Sequence, residues 1–203
     1  MTVKLNCSSS GSVALSAPAS TALGADVVLN LPSHAGSLDR LERAGNILQV
    51  VQAESTTAVS STDEDNYVDT SLTATITPTA ASNKILIMVN QSFYNYQAPG
   101  TYAYNGLLVL RDSTTIYTPN TGVAGATQGS FDFGIGVVGG TTVSHYGKAN
   151  ITLLDSPNTT SAVTYKTRGR PYGTSGVTYQ HNSGGSVSDS SNKSTITLME
   201  VAA

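Results

Sequence analysis

Between Gly45 and Glu200 the chain is a succession of short apolar, β-branched runs separated by turns of Ser, Thr, Asn and Gly. The clearest runs are Ile47–Val51, Leu72–Ile76, Lys84–Val89, Asn150–Leu154 and Ser194–Glu200. Runs of this length, apolar on alternate positions and bounded by turn residues, predict half-buried strands. A helix would need apolar residues three and four apart. Only Ser37–Ala44 offers that, with a Ser start, Leu38 and Leu41 on one side, and Gly45 as a stop. The expected fold class is therefore all-β. Eight or so strands with irregular, sometimes long connections fit a jelly-roll-like β-sandwich better than a set of tight hairpins.

The surface of such a body must be polar without being charged. Only 11% of the 203 residues are Asp, Glu, Lys or Arg, against roughly 25% in an average soluble domain. A surface of Ser, Thr, Asn, Gln and Gly suits a protein that packs against copies of itself or other shell proteins. The net charge of −3 and the lack of a long basic run give no reason to expect nucleic acid. Disorder, the competing reading of so much Ser and Thr, is opposed by the 39% hydrophobic content concentrated in strands. The single cysteine, Cys7, excludes an intrachain disulfide, so stability must come from packing or oligomerisation. No run approaches the roughly 20 apolar residues of a membrane-spanning helix. Met1–Leu5 has no hydrophobic signal region, so nothing marks the chain for export. Asn-x-Ser/Thr triplets such as Asn150-Ile151-Thr152 are expected by chance in this composition and are discounted.

Three regions follow. Residues 1–36 alternate short apolar groups with small residues (Val13-Ala14-Leu15, then Val27-Val28-Leu29-Asn30-Leu31 before Pro32). They hold too little apolar surface to fold alone, and read as an extended N-terminal β-arm of two or three strands that finds its partners on another subunit. Residues 37–45 are a short helical linker, and residues 46–203 the sandwich body. Within the body, Leu107–Leu110 runs through the turn Arg111-Asp112-Ser113 into a return strand, Thr114–Tyr117. Phe131–Val138, Thr142–Tyr146 and Ala162–Arg168 are further strand candidates. Pro171–Asp189 reads as a long exposed loop, and the last strand, Ser194–Val201, ties the C-terminus into a sheet.

Motifs that could carry chemistry have simpler readings. Gly134-Ile135-Gly136-Val137-Val138-Gly139 matches the dinucleotide fingerprint by letter, with Asp155 downstream, but a turn and a strand follow where a helix must receive the pyrophosphate. No cofactor is expected. Asp63-Glu64-Asp65-Asn66 with Asp69 is the one acidic cluster. It lacks the Gly and Glu that a calcium loop needs at its sixth and twelfth positions, where Val68 and Ala74 stand. It reads as a solvated turn, and no metal site is assigned. His34, His145 and His181 are isolated, with no ligand spacing, and read as loop or interface residues. No Gly-x-Ser-x-Gly elbow supports a catalytic triad. A glycosidase would require two carboxylates about 5–10 Å apart, and nothing in the sequence places such a pair among Asp63–Asp69. No catalytic residue is assigned, and the chain is read as not an enzyme. Two groups suit contact with a partner protein or a glycan. One is Tyr94, Tyr96, Tyr102 and Tyr104, read as loop tyrosines around a Pro99-Gly100 turn, which offer amphipathic contact area. The other is the alternating Lys166, Arg168 and Arg170, of which the first two share a strand face and could grip a carboxylate or phosphate.

Four blocks carry a resemblance: Gly45–Gln52; Tyr67–Thr70 with Ile76-Thr77-Pro78; Ser82–Val89; and Leu154–Ala162 with the closing Ser194–Val201. In order and spacing they resemble a domain that recurs in virion proteins of tailed bacteriophages, especially those of cyanobacteria and other aquatic bacteria. Gly11–Leu15 with Ala17-Pro18-Ala19, and then Val27–Pro32, is similar to a segment of phage fibre-like proteins. The resemblance implies a virion structural protein, a trimer with a jelly-roll body, and no catalytic residues. The chain has no coiled-coil heptads or shaft repeats of a long fibre. An arm plus one globular body fits a head decoration (cement) protein on the outside of the particle. Its partners would be its own copies and the major capsid protein or another virion protein, with no nucleic acid and no membrane. It would be made in the bacterial host cytoplasm. The alternative is a tail-fibre or receptor-binding protein that contacts host glycan through the tyrosine group.

Overall fold

The structure, a computed structural model, describes residues 3–6, 12–15, 43–63, 65–97, 102–118, 133–136, 143–173, 178–182 and 192–203. The chain divides into two compact units, Met1–Asp39 and Arg40–Ala203. In the first, β1 (Val3–Asn6) and β2 (Ser12–Leu15) form an antiparallel pair, with Val3 opposite Leu15 and Asn6 opposite Ser12. The arm strands thus pair with each other. The expected third strand at Val27–Leu31 and the helical linker up to residue 42 lie outside the described residues.

The second unit is a sandwich of two antiparallel sheets. In the first sheet β6 (Lys84–Gln97) is central. One of its edges is shared by β13 (Ser194–Val201), on residues 84–90, and β12 (Thr178–His181), on residues 93–96. Its other edge carries β10 (Val143–Asp155) over residues 85–97. Beyond β13 lies β3 (Ile47–Ser55), and beyond β12 lies β4 (Val59–Ser61). In the second sheet β11 (Val163–Gly173) stands between β5 (Val68–Ile76) and β7 (Tyr102–Arg111). The far edge of β7 takes β8 (Thr114–Tyr117) and then β9 (Phe133–Gly136).

Strands that continue one another along an edge count as one column, which gives four columns per sheet. Numbered along the chain, the columns run 1-8-3-6 in the first sheet and 2-7-4-5 in the second. This is the doubly wound Greek-key order of a jelly roll. The expected fold class is therefore the observed one, an all-β jelly-roll sandwich.

The core lies where the inward positions of both sheets meet. Ile85, Ile87 and Val89 of β6, Ile196 and Leu198 of β13, and Ile151 of β10 face Leu72, Ala74 and Ile76 of β5, Val163 and Tyr165 of β11, and Leu107 and Val109 of β7. Polar groups close it at both ends. Along β13 the buried positions read Ser194, Ile196, Leu198, Glu200, while Asn83 just before β6 and Gln91 within it bracket Ile85, Ile87 and Val89.

Three expectations need correction. Thr142–Tyr146 and Asn150–Leu154 belong to one 13-residue strand, β10, because the long β6 supports pairing from Gln97 to Ile85. Pro171–Asp189 is not a single exposed loop. Its first residues extend β11, and β12 lies within it, ending at His181 and Asn182, both fully buried. His181 is accordingly a core residue and not a loop or interface one, while His145 stands on β10 and His34 lies outside the described residues.

Candidate functional site

The basic strand face is answered from within the chain. Lys166 and Arg168, two residues apart on β11, both meet Asp69 of β5, at 3.0 Å to Oδ2 and 3.0 Å to Oδ1. Arg168 also donates to the Tyr67 carbonyl. Arg170 lies over the Tyr67 ring, 4.9 Å from its centroid, and reaches the Asp65 carbonyl at 3.5 Å. The carboxylate that this face grips is thus the chain's own. Beside it, Asp63 holds the connection from β4 to β5. Its Oδ1 accepts from the Asp65 and Asn66 amides at 2.9 and 3.0 Å, and its Oδ2 accepts from Asn66 Nδ2 at 3.0 Å. The Asn66 side chain, then the two amides, hold the Asp63 carboxyl below its ordinary range. Among the described residues no His, Cys, Asp and Glu come together in a group able to hold a metal.

The four tyrosines are strand residues rather than loop residues, and the fold divides them. Tyr94 and Tyr96 are on β6 of the first sheet, and Tyr102 and Tyr104 on β7 of the second. Tyr94 is buried and packs its ring against Tyr146 of β10, with centroids 5.0 Å apart and planes at 41°. Tyr146 itself is half exposed. The Pro99-Gly100 turn lies outside the described residues. Gly134-Ile135-Gly136 lies on β9, paired with β7, in a strand and not at a helix start.

Three features escaped the sequence reading. The first is a buried polar hub. Asn182 adopts a left-handed backbone (φ 56°), where a short amide side chain is tolerated. Its Nδ2 donates to Thr70 O at 2.7 Å and Thr57 O at 2.8 Å, with the Ser71 and Ser55 hydroxyls at 3.1 and 3.3 Å. Its Oδ1 accepts from Gln91 Nε2 at 2.7 Å. Gln91 Nε2 also donates to Ser194 Oγ at 3.0 Å, and Gln91 Oε1 accepts from Thr167 at 2.9 Å and Thr70 at 3.2 Å. The hub spans both sheets and fills a bulge in β5, where Thr70-Ser71-Leu72 stands opposite Thr167 alone and Ser71 has φ 65°.

The second is the carboxylate of Glu200, which closes the opposite end of the core. It accepts from Gln49 Nε2 (2.6 Å), the Thr79 amide (2.6 Å), the Thr79 hydroxyl (2.8 Å) and Asn83 Nδ2 (2.7 Å). Burial alone would raise its pKa, but these bonds outweigh burial and hold it at about 2. A part-buried carboxylate also joins the sheets at the β10–β11 connection. Asp155 takes both oxygens to Arg111 Nη1, at 3.0 and 2.9 Å, and accepts from Tyr165 OH at 2.8 Å. Burial first, and then this carboxylate, push the Tyr165 phenol up.

The third lies on the outer face of the first sheet. Register places Val50, Met199, Leu86 and Leu154 in one row across β3, β13, β6 and β10. Met88 stands in the next row, and Ile47 with Val201 in the row before. Val50 is 57% exposed, Leu154 52%, Ile47 46% and Met88 44%, while Leu86, Met199 and Val201 are partly exposed. Met88 shares its row with Thr197 and Gln52, where Gln52 donates to Thr197 at 2.9 Å, and the face is polar from there on, with Asn90 donating to Asn150 at 2.8 Å. A sequence signal for the band exists. Ile85-Leu86-Ile87-Met88-Val89, Val50-Val51, Leu153-Leu154 and Leu198-Met199 are apolar at adjacent positions, whereas a sheet with one wet face alternates.

No family model matches this chain. No curated protein does either. Among solved structures it is similar to the VP2 subviral particle of infectious bursal disease virus, with 15% identity, a TM-score of 0.35, and coverage of 85% of this chain and 42% of that one. It is also similar to a mutant VP2 of the same virus in T=1 particles (14% identity, TM-score 0.32, 98% and 44% covered). A third structure, of the Gx strain of that virus, gives 13% identity and a TM-score of 0.30, with 95% and 46% covered. The chain spans less than half the length of these proteins. At such identities and TM-scores, nothing of their roles is carried to this chain.

Proposed function

We propose that this chain is a virion structural protein, a head decoration (cement) protein of a tailed bacteriophage that sits as a homotrimer on the outer surface of the particle. Its 1–36 arm reaches between neighbouring subunits, and its jelly-roll body holds them together by shape and copy number. One observation carries this reading. Of the four blocks that resemble phage virion proteins, the one at Tyr67–Thr70 with Ile76-Thr77-Pro78 falls on β5 of the second sheet. The other three, distant in sequence, become adjacent strands of the first, β3, β13, β6 and the end of β10. Together they present the apolar band Val50–Met199–Leu86–Leu154 to the outside. Contiguous exposed apolar surface marks interaction sites. The partners are copies of the chain and the major capsid protein or another virion protein. The test is stoichiometry. Hundreds of copies per particle, and lower heat resistance of heads that lack the protein, are expected; a handful of copies at the tail would overturn the reading.

A second reading, a receptor-binding protein of the tail, is favoured by the half-exposed Tyr146 ring packed on Tyr94 at the other end of the same sheet. Aromatic faces with a polar edge suit saccharides. Purified protein that bound host glycan and blocked infection would favour it over decoration.

A further inference from the structure

The inward positions of the two sheets meet level by level along the sandwich. Gln91 of β6 accepts from Thr167 of β11 at 2.9 Å, and Thr167 stands opposite Val109 of β7. Two residues on, His181 pairs with Phe93, and a Cβ on Gly169 would stand 1.9 Å from the His181 Nε2. Gly169 in turn stands opposite Leu107. Another two residues on come Asn95 of β6, opposite Tyr179, and Asn105 of β7, opposite Pro171. The two asparagines therefore occupy one level of facing strands, at the far end of β6 from Glu200, which pairs with Ile85. Strand alternation turns both side chains inward. Asn95 is 2% exposed and Asn105 0%.

Neither side chain is answered as Gln91 and Asn182 are. The amide nitrogen and oxygen of each are buried with no hydrogen-bond partner among the described residues, so the two do not bond each other. An amide stripped of water and given nothing in return is costly, and folded interiors rarely leave one so. Each amide offers two N–H donors and one acceptor oxygen, so a group that answers both must donate and accept. It must also be uncharged. The residues paired with them by register, His145 and Tyr179 beside Asn95 and Phe133 and Pro171 beside Asn105, include no carboxylate, lysine or arginine to balance an ion. And it must be small, since both side chains are closed to solvent. Water meets all three conditions, and buried waters serve such groups in folded proteins. We infer that the body holds ordered water between Asn95 and Asn105, which bridges β6 to β7 across the sandwich as direct bonds join the sheets at Gln91. That water is part of the fold, and it ties the sheets together close to where the chain passes from Gln97 to Tyr102.

Nuclear magnetic resonance of the full-length, unaltered chain tests this. The side-chain amide protons of Asn95 and Asn105 are expected to cross-relax with water, with NOE and ROE of opposite sign, as for a water held in place. Substitution gives a second readout, because leucine keeps the branched shape and drops the polar atoms. Asn95→Leu leaves the water and Asn105 short of a partner and should lower the thermal midpoint by about 2–4 °C or more. Asn105→Leu should then cost less in that variant than it does in the parent, because the bridge is already gone. The first readout stands whether or not the variants fold. Amide protons that show no exchange of magnetisation with water would overturn the inference, as would cross-peaks that join the two amides directly. So would single leucine variants that melt higher than the parent and whose effects add, the mark of amides with no ligand to lose.

Discussion

His181 and Glu200 sit at opposite ends of the core, and their environments make the body acid-sensitive in two different windows. Burial lowers the His181 pKa from its ordinary 6.5 to about 3, so the folded chain keeps the ring neutral while the unfolded chain protonates it first. Its contribution is complete above about 6.5 and is lost as pH falls toward 3. Glu200 is held at about 2 against an ordinary 4.5, so its contribution is complete above 4.5 and is lost toward 2. The thermal midpoint should therefore begin to fall below pH 6.5 and fall further below 4.5. His181→Gln should abolish the upper part of the decline, and a variant that still declined between 6.5 and 4.5 would assign it to another group. Glu200→Gln should flatten the lower part and cost about 1–3 kcal/mol at neutral pH, since its bonds lose their charged acceptor. Glu200 was legible in part, as a carboxylate on the inward parity set by Ser194, Ile196 and Leu198. His181 was not, because the polar composition around it reads as loop. Nothing local announces that β12 slots into the edge of β6 beyond the end of β13.

The elements follow the same division between local and non-local causes. β5, β6, β7, β8 and β13 could be read from alternation and turn residues, down to the reversal at Asp112, whose φ of 52° suits a tight turn. The β5 bulge and its Asn182 plug could not. They depend on pairing across |i−j| separations of 112 and 91 residues to Thr70 and Gln91, which no window of sequence contains. Asn182→Ala would leave the Thr70 and Thr57 carbonyls and one Gln91 donor unanswered in a buried site. A loss of about 3 kcal/mol or more is expected by urea unfolding, beyond that of an ordinary surface substitution. A change under about 0.5 kcal/mol would show that the bulge holds without its plug. Gly169 marks another non-local fit. A Cβ there would stand 1.9 Å from His181 Nε2, so Gly169→Ala should destabilise by at least about 1–3 kcal/mol through overpacking, and His181→Ala in the same chain should restore part of that loss. A Gly169→Ala protein as stable as the parent would mean that the ring has room to move.

At the scale of the whole molecule, the jelly-roll order explains why so uncharged a chain can leave an apolar row outside. The inner faces of both sheets are filled, Lys166 and Arg168 of the basic strand are spent on Asp69, and among the described residues the band on the first sheet stays open. Contacts built on that band should be insensitive to ionic strength. Screening shortens the reach of a charge from about 10 Å at 0.1 M salt to about 3 Å at 1 M, so an oligomer held by exposed ion pairs would come apart over that range. One held by apolar burial would not, and sulfate would tighten it by being excluded from the surface. Sedimentation velocity of the full chain should therefore give the same oligomer at low and high sodium chloride, with an unchanged or lower dissociation constant in ammonium sulfate. The Lys193–Glu54 pair, 2.8 Å apart and half exposed on both sides, is the kind of contact that salt would weaken. Dissociation at high chloride would assign any contact between copies to pairs of that type, and not to Val50, Leu86, Met88, Leu154 and Met199.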